Sequence, residues 1–293
     1  MKQPRNKKKP LLGAHFSIAK GVHRSITEAV SYGCNTLQMF TKNANTWKEK
    51  EISEPEIERF QRAIAESGVT GITSHTSYLI NLASPDPKKH GMSCEALKRE
   101  LCRSASLSIP FVVLHPGAHM GMGEKEGIAK IATSINRIFS QTPDLNVRLL
   151  LETTAGQGSS IGHTFEQLAA ILQGVEQRDR LGVCLDTCHI FAAGYDMRSR
   201  TSYRKTIKRF DDVIGLQRLY VIHLNDSKKG LGSRVDRHEH IGEGQIGREG
   251  FRALMNDRRF FNIPKIIETQ KEGNEIDWDR VNLDMLRGLM ARG

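Results

Sequence analysis

Leu181-Gly182-Val183-Cys184-Leu185-Asp186-Thr187-Cys188-His189 carries the pattern from which the architecture can be read. An apolar run bounded by glycine is the pattern of a buried strand. This one delivers Asp186 at its end and His189 three residues on. A carboxylate and an imidazole at the mouth of a buried strand are costly unless something pairs them, such as a metal. Taken alone, the pair reads equally well as an Asp–His hydrogen bond in a loop. The same arrangement recurs along the chain, and the recurrence tips the balance.

On either side of it, seven further strands are predicted, at 11–16, 36–41, 71–75, 111–115, 148–152, 219–224 and 264–268. Helical patterns fill the intervals. One runs from Val22 to Tyr32 and stops at Gly33. Another starts at the capping box Ser53-Glu-Pro-Glu56 and runs to Gly68, and a third covers 93–107 after the proline-rich loop Ser84–Pro87. Others are expected at 124–140, from the capping box Thr164–Gln167 to just before Gly174, and at 203–213, 248–257 and 278–290. Eight strands alternating with helices predict an α/β fold with a parallel sheet, and eight units suggest a closed (β/α)₈ TIM barrel. A doubly wound open sheet gives the same alternation. The barrel is preferred because the notable polar residues fall at strand C-termini, the face where barrel active sites are built. Residues 11–293 are expected to form one barrel catalytic domain behind a disordered basic arm, 1–10.

The chain has 293 residues with a net charge of +10. Lys2, Arg5, Lys7, Lys8 and Lys9 supply five of those charges, so the rest of the chain carries +5, a modest pointer to a polyanionic partner. No apolar run reaches the ~20 residues that span a bilayer, and no apolar segment follows the basic N-terminus as in a signal peptide. Cys34, Cys94, Cys102, Cys184 and Cys188 are odd in number and form no CxxC pair. They read as reduced thiols in an intracellular, cytoplasmic protein.

At the C-terminal ends of six strands stand His75, His115, Glu152, Asp186, His223 and Glu268. All are nitrogen or carboxylate ligands suited to zinc or a similar divalent ion. The residues two earlier, on the same face, are Thr73, Val113, Leu150, Cys184, Val221 and Ile266, as an inward barrel layer beneath a site requires. His189 and the Asp236-Arg-His238 segment add three candidates, assigned to loops on the same face. Nine ligands exceed what one tetrahedral zinc can use, so two or three ions are implied. Such ions suit in-line displacement at a phosphate ester. His23, His90, His119, His163 and His240 read as surface or loop residues, and His15 is left open.

Leu151-Glu-Thr-Thr-Ala-Gly-Gln-Gly158, Gly182 through Asp196, and His223-Leu-Asn-Asp226 with Gly232 through His238 and Gly242-Glu-Gly244 resemble the signature segments of the endonuclease IV family. The resemblance extends from Gly13 to Thr269. It implies a TIM barrel with three zinc ions per chain acting in DNA repair on double-stranded DNA that contains abasic sites. The first ion would be held by His75, His115 and Glu152, the second by Glu152, Asp186, His223 and Glu268, and the third by His189, Asp236 and His238. The implied reaction hydrolyses the phosphodiester 5′ to the abasic site, leaving a 3′-hydroxyl and a 5′-deoxyribose phosphate. Glu268 would orient or deprotonate the attacking water, Glu152 would bridge two ions, and blocked 3′ ends would also be trimmed. Tyr78 and Leu79 match the family's DNA-intercalating pair, and the chain is expected to act as a monomer. In Phe40-Thr-Lys-Asn-Ala-Asn-Thr-Trp47, Asn45 stands where relatives carry an arginine, so that arginine's role is not transferred. The rival from another reaction class is a single-metal sugar isomerase or epimerase on a related barrel. It needs only Glu152, Asp186, His223 and Glu268, and has no use for the Asp236-x-His238 pair. A catalytically silent DNA-binding protein is the third reading, and here every ligand position is filled.

Overall fold

The computed structural model describes residues 9–49, 51–271 and 275–291. Eight parallel strands close on themselves: β1 (Leu12–Phe16), β2 (Gln38–Phe40), β3 (Thr73–His75), β4 (Phe111–Leu114), β5 (Arg148–Glu152), β6 (Leu181–Asp186), β7 (Leu219–His223) and β8 (Lys265–Ile267). Each pairs with its neighbour in sequence, and β1 pairs with β8 through Leu12↔Lys265, Gly13↔Ile266 and Ala14↔Ile267. The open doubly wound sheet is thereby excluded. The arm's residues 1–8 lie outside the described residues.

Side-chain alternation sorts the strands into two cores. Val113, Leu150, Cys184, Val221 and Ile266 pack together inside the barrel with no exposed surface, and Phe111 and Tyr220 close the layer. The outward residues Val112, Leu114, Leu149, Leu151, Val183, Leu185 and Ile222 meet the surrounding helices in the larger core. Gly182 faces inward, where a Cβ would come within 2.4 Å of the Tyr220 ring, so the strand of the opening stretch needs glycine at its second position.

The helices are α1 (Val22–Ser31), α2 (Glu54–Ser67), α3 (Pro87–Ser106), α4 (Glu124–Ser140), α5 (Phe165–Gly174), α6 (Thr187–Ala193), α7 (Arg200–Val213), α8 (Gly247–Met255) and α9 (Trp278–Leu289). The N-terminal signals read from sequence are used. Glu56 accepts the Ser53 amide at 3.0 Å, Thr164 Oγ1 accepts the Gln167 amide at 3.2 Å, and Gly68 ends α2 in the left-handed region. Two expectations are corrected. The third helix begins at Pro87 rather than residue 93, because Asp86 caps it by accepting the Lys89 amide at 3.0 Å and Pro87 takes the first helical position. His189 lies in the first turn of α6, not in a loop. Asp186 caps that helix by accepting the His189 amide at 2.7 Å, which fixes the relation of the two side chains. Two small antiparallel pairs, Gly117–Ala118 with Ser160–Ile161 and Asp226–Ser227 with His238–Glu239, stiffen loops after β4, β5 and β7.

A candidate metal centre at the barrel mouth

All nine predicted ligands converge at the C-terminal end of the barrel. His75, Glu152, Asp186 and His223 end β3, β5, β6 and β7, and His115 and Glu268 lie one residue beyond β4 and β8. Asp236 and His238 come in over the top on the long loop after β7. Donor atoms within 4.8 Å of one another form three principal groups: His75, His115 and Glu152; Glu152, Asp186, His223 and Glu268; and His189, Asp236 and His238.

Glu152 is the hub. Its Oε2 is 3.0 Å from Nε2 of both His75 and His115, and its Oε1 is 3.0 Å from His223 Nδ1 and 3.3 Å from His189 Nδ1. Burial opposes its ionisation, but the imidazoles of His115 and His223 more than offset that and hold the carboxyl well below the usual range. Glu268 behaves likewise. Burial raises it, and His223, whose Nδ1 is 3.0 Å away, brings it well below the usual range. For Asp236, burial is outweighed by His189, and the pKa falls to about 2. Conversely, desolvation of His189 is overcome by Asp186 and Asp236, and that of His223 by Cys184 together with Glu268 and Glu152, so both are raised well above 6.5.

Three imidazoles are oriented by main-chain carbonyls. His75 Nδ1 faces the Thr76 carbonyl at 2.8 Å, His189 Nδ1 the Thr153 carbonyl at 2.8 Å, and His238 Nδ1 the Glu268 carbonyl at 3.3 Å. A nitrogen facing a carbonyl carries a proton, so in its neutral form each ring turns the lone pair of its Nε2 toward carboxylates. His189 Nε2 lies 3.0 Å from Asp236 Oδ2 and His238 Nε2 lies 3.4 Å from Asp236 Oδ1, yet both nitrogens are buried with no hydrogen-bond partner. Lone pairs facing carboxylates at these distances repel unless a proton or a cation lies between them. Orientation of histidine ligands by an outer hydrogen bond is the usual construction of a metal site. The residues present fit divalent zinc, with nitrogen and oxygen donors only in the three principal groups.

A fourth grouping, Asp186, Cys188 and His238, has the same spacing. Burial pushes the Cys188 thiol up to about 12, and its Sγ lies 3.6 Å from the Arg237 carbonyl, an S–H donor contact. His15 sits near the centre, 3.7 Å from Glu268, with burial lowering its pKa. His240 is a structural residue, stacked on Trp278 with centroids 3.7 Å apart.

Sequence reasoning missed the residues behind the ligands. Gln38 Oε1 faces His223 Nε2 at 2.8 Å while its amide donates to Glu268. Asn225 donates to Asp186 Oδ2 at 2.6 Å and accepts the Glu268 amide at 2.8 Å. Thr153 Oγ1 accepts the Asp186 amide at 2.9 Å. A glutamine at an inward strand position was the available signal for Gln38, and adjacency to His223 was the signal for Asn225. Beside the centre, Tyr78 is 66% exposed and Leu79 37%, whereas the next residue, Ile80, is buried. The Tyr78 ring leans edge-on against Phe40, with centroids 5.5 Å apart. The centre opens into a cavity of about 270 Å³ lined by Tyr78, Lys271 and most of the ligands.

A family model described as xylose isomerase-like TIM barrel matches residues 26–289. A Geobacter sulfurreducens protein named "Probable endonuclease 4" is 50% identical over 281 residues, covering 96% of this chain and 95% of that one. The chain belongs to the endonuclease IV family. A Chloroflexus aggregans endonuclease 4 is 48% identical, with 96% and 98% coverage. The crystal structure of endonuclease IV from Thermus thermophilus superposes with a TM-score of 0.84 at 35% identity, covering 96% of this chain and 98% of that one. A D-tagatose 3-epimerase-like protein also superposes, with a TM-score of 0.72, but at 18% identity that likeness is one of fold alone. Endonuclease IV and sugar epimerases thus share a barrel, and what separates this chain from the rival reading is sequence relationship. Among the described residues no helix is long and apolar enough to cross a membrane.

Proposed function

We propose that this endonuclease IV is a DNA-repair hydrolase that cuts the phosphodiester 5′ to an abasic site in duplex DNA. The products are a 3′-hydroxyl and a 5′-deoxyribose phosphate, and blocked 3′ ends are trimmed by the same site. The observation that carries this reading is the convergence of nine ligand side chains in three groups around Glu152. A single-metal epimerase has no use for His189, Asp236 and His238. Residues 11–293 act as one barrel domain, with 1–10 as a basic arm, and the enzyme works as an intracellular monomer.

Three zinc ions would be held by His75, His115 and Glu152, by Glu152, Asp186, His223 and Glu268, and by His189, Asp236 and His238. When bound, such ions activate water and neutralise charge on the phosphodiester and the departing oxygen. Four carboxylates against three divalent ions leave a net +2, which suits an anionic ester. Glu268, ionised and reaching the cavity, orients the attacking water and takes its proton as the new oxygen–phosphorus bond forms and the bond to the 3′-oxygen breaks. Gln38 donates to the Glu268 carboxylate, and Asn225 accepts the Glu268 main-chain amide and donates to the carboxylate at 3.4 Å, so both hold it in place. Glu152, fully buried, stays ionised between two ligand groups. Tyr78 and Leu79 wedge into the duplex beside the lesion, where unstacking costs least.

The deciding experiment is incision of a duplex with one synthetic abasic site, beside an undamaged control, with product ends identified. Cleavage 3′ to the site, or none with zinc-loaded protein, overturns the proposal. Elemental analysis giving one metal per chain overturns the three-ion assignment.

A further inference from the structure

A cavity of about 550 Å³ lies away from the barrel mouth, between α7, α8 and the end of α9. It shares no residue with the cavity at the ligand cluster. Arg200 and Arg204 reach it from α7, Arg252 from α8, and Arg258 and Arg259 from the turn that follows. Carboxylates neutralise only two of these five guanidiniums. Arg252 Nε is 3.0 Å from Glu249 Oε1, and Arg259 grips Asp257 through Nε at 2.9 Å and Nη2 at 2.6 Å. Among the described residues, Arg200, Arg204 and Arg258 have neither an ion-pair partner nor a side-chain hydrogen bond. Like charges gathered in one concavity repel, and no step at the barrel mouth employs them.

The walls are fixed. Tyr203 donates its hydroxyl hydrogen to Asp257 Oδ2 at 2.9 Å, which seats the Asp257–Arg259 pair. Asn256 ties α8 to α9 by donating to the Leu289 carbonyl at 2.9 Å and accepting the Ala291 amide at 2.6 Å. Ala253, Leu289 and Met290 supply an apolar part of the lining.

We propose that this cavity is a docking site for an acidic peptide segment of a partner protein. Carboxylates of the segment pair with Arg200, Arg204 and Arg258, whose planar forks match them in bidentate fashion. An apolar side chain of the same segment covers Ala253, Leu289 and Met290. Charge complementarity and the mixed lining select this occupant. A DNA duplex has no apolar side chain to place there, and a free phosphate leaves the apolar part uncovered.

The test uses the zinc-loaded full chain and a fluorescein-labelled peptide, Glu-Asp-Glu-Asp-Leu-Phe, read by fluorescence anisotropy at low and physiological salt. The controls are a Gln-Asn-Gln-Asn-Leu-Phe peptide, inorganic phosphate and an undamaged duplex. The acidic peptide should bind, the amide peptide should not, and R204E/R258E should weaken binding by about tenfold or more. Abasic-site incision by that variant should be unchanged, which separates loss of docking from misfolding. Ala253→Glu, which fills the apolar part, should also weaken it. Equal binding of the amide peptide, an unaffected R204E/R258E variant, or phosphate or duplex competing the peptide away would each overturn the proposal.

Discussion

Glu268 and Glu152 illustrate how neighbours set the state of a carboxylate. Both are deprived of water, which favours the neutral acid, and both are kept ionised by histidines at 3.0 Å. Both line the cavity, but Glu268 keeps exposed surface there while Glu152 is fully buried, so Glu268 is the one placed to receive a proton. Glu268→Gln keeps the shape and removes the base. Incision should fall by roughly 10²- to 10⁴-fold while binding to an abasic duplex, measured by gel shift, is retained; near-parental cleavage would remove Glu268 from the chemistry. Cys188 is the opposite case. Its spacing to Asp186 and His238 admits it as a ligand, but its raised pKa and its contact with the Arg237 carbonyl keep it a thiol. Cys188→Ser should leave the metal content per chain unchanged and incision within about threefold of the parent. A lost ion would make it a ligand after all.

Among the secondary-structure elements and their connections, the loop after β7 carries Asp236 and His238, and a buried carboxylate organises it. Asp226 accepts the amides of Ser227, Gly242, Gly244, Ile246 and Gly247 at 2.8 to 3.2 Å. Gly244 passes so close that a Cβ there would come within 2.6 Å of Asp226 Oδ1 and of the Ser227 carbonyl. The neighbouring pair Asp226–Ser227 with His238–Glu239 then lays His238 over the barrel. Asp226→Ala leaves these amides without their acceptor. It should cost roughly 2–4 kcal/mol in urea unfolding. It should also lower metal content by about one ion per chain, since His189 then lacks its two companions. Full metal content in the variant would show that the loop holds its shape by other means.

Across the barrel as a unit, the cluster of histidines and carboxylates should make stability depend on pH and on metal. His75, His189 and His223 have folded pKa values raised above 6.5, so the stability they add in metal-free protein is complete below about 6.5 and is lost as pH rises through the folded values. Glu152, Glu268 and Asp236 have lowered values, so their contribution is complete above about 4.5 and is lost as pH falls through the folded values. His15, with a lowered value, destabilises only where its unfolded form is charged, and that effect is over by about 6.5. Chelator-stripped protein should therefore show a Tm that falls from pH 6.5 to 8. Zinc should restore most of it at the upper end, because ions bind deprotonated imidazoles. A metal-free Tm that is flat or rising across that interval, by calorimetry, would contradict the assignment.

The alternation of strands and helices, the inward layer of Val113, Leu150, Cys184, Val221 and Ile266, and the ligand types at the strand ends were all legible in the chain before any folding. Strand and helix periods are local, and a polar residue closing an apolar run stands out. Two helix starts, at Pro87 and Thr187, escaped that reading because they depend on Asp86 and Asp186 acting as caps, a role one residue can hold alongside another. Which ligands meet was settled by the folded barrel. Glu152 and Glu268 lie 116 positions apart, and their common contact with His223 exists because the closed, staggered barrel brings β5, β7 and β8 to one mouth. Gln38 and Asn225 became visible for the same reason, since buried hydrogen bonds across strands leave no period in the chain. The arginine-lined cavity on the outer wall follows suit: Arg200 and Arg258 are separated in sequence, and only the packing of α7 against α8 gathers their charge.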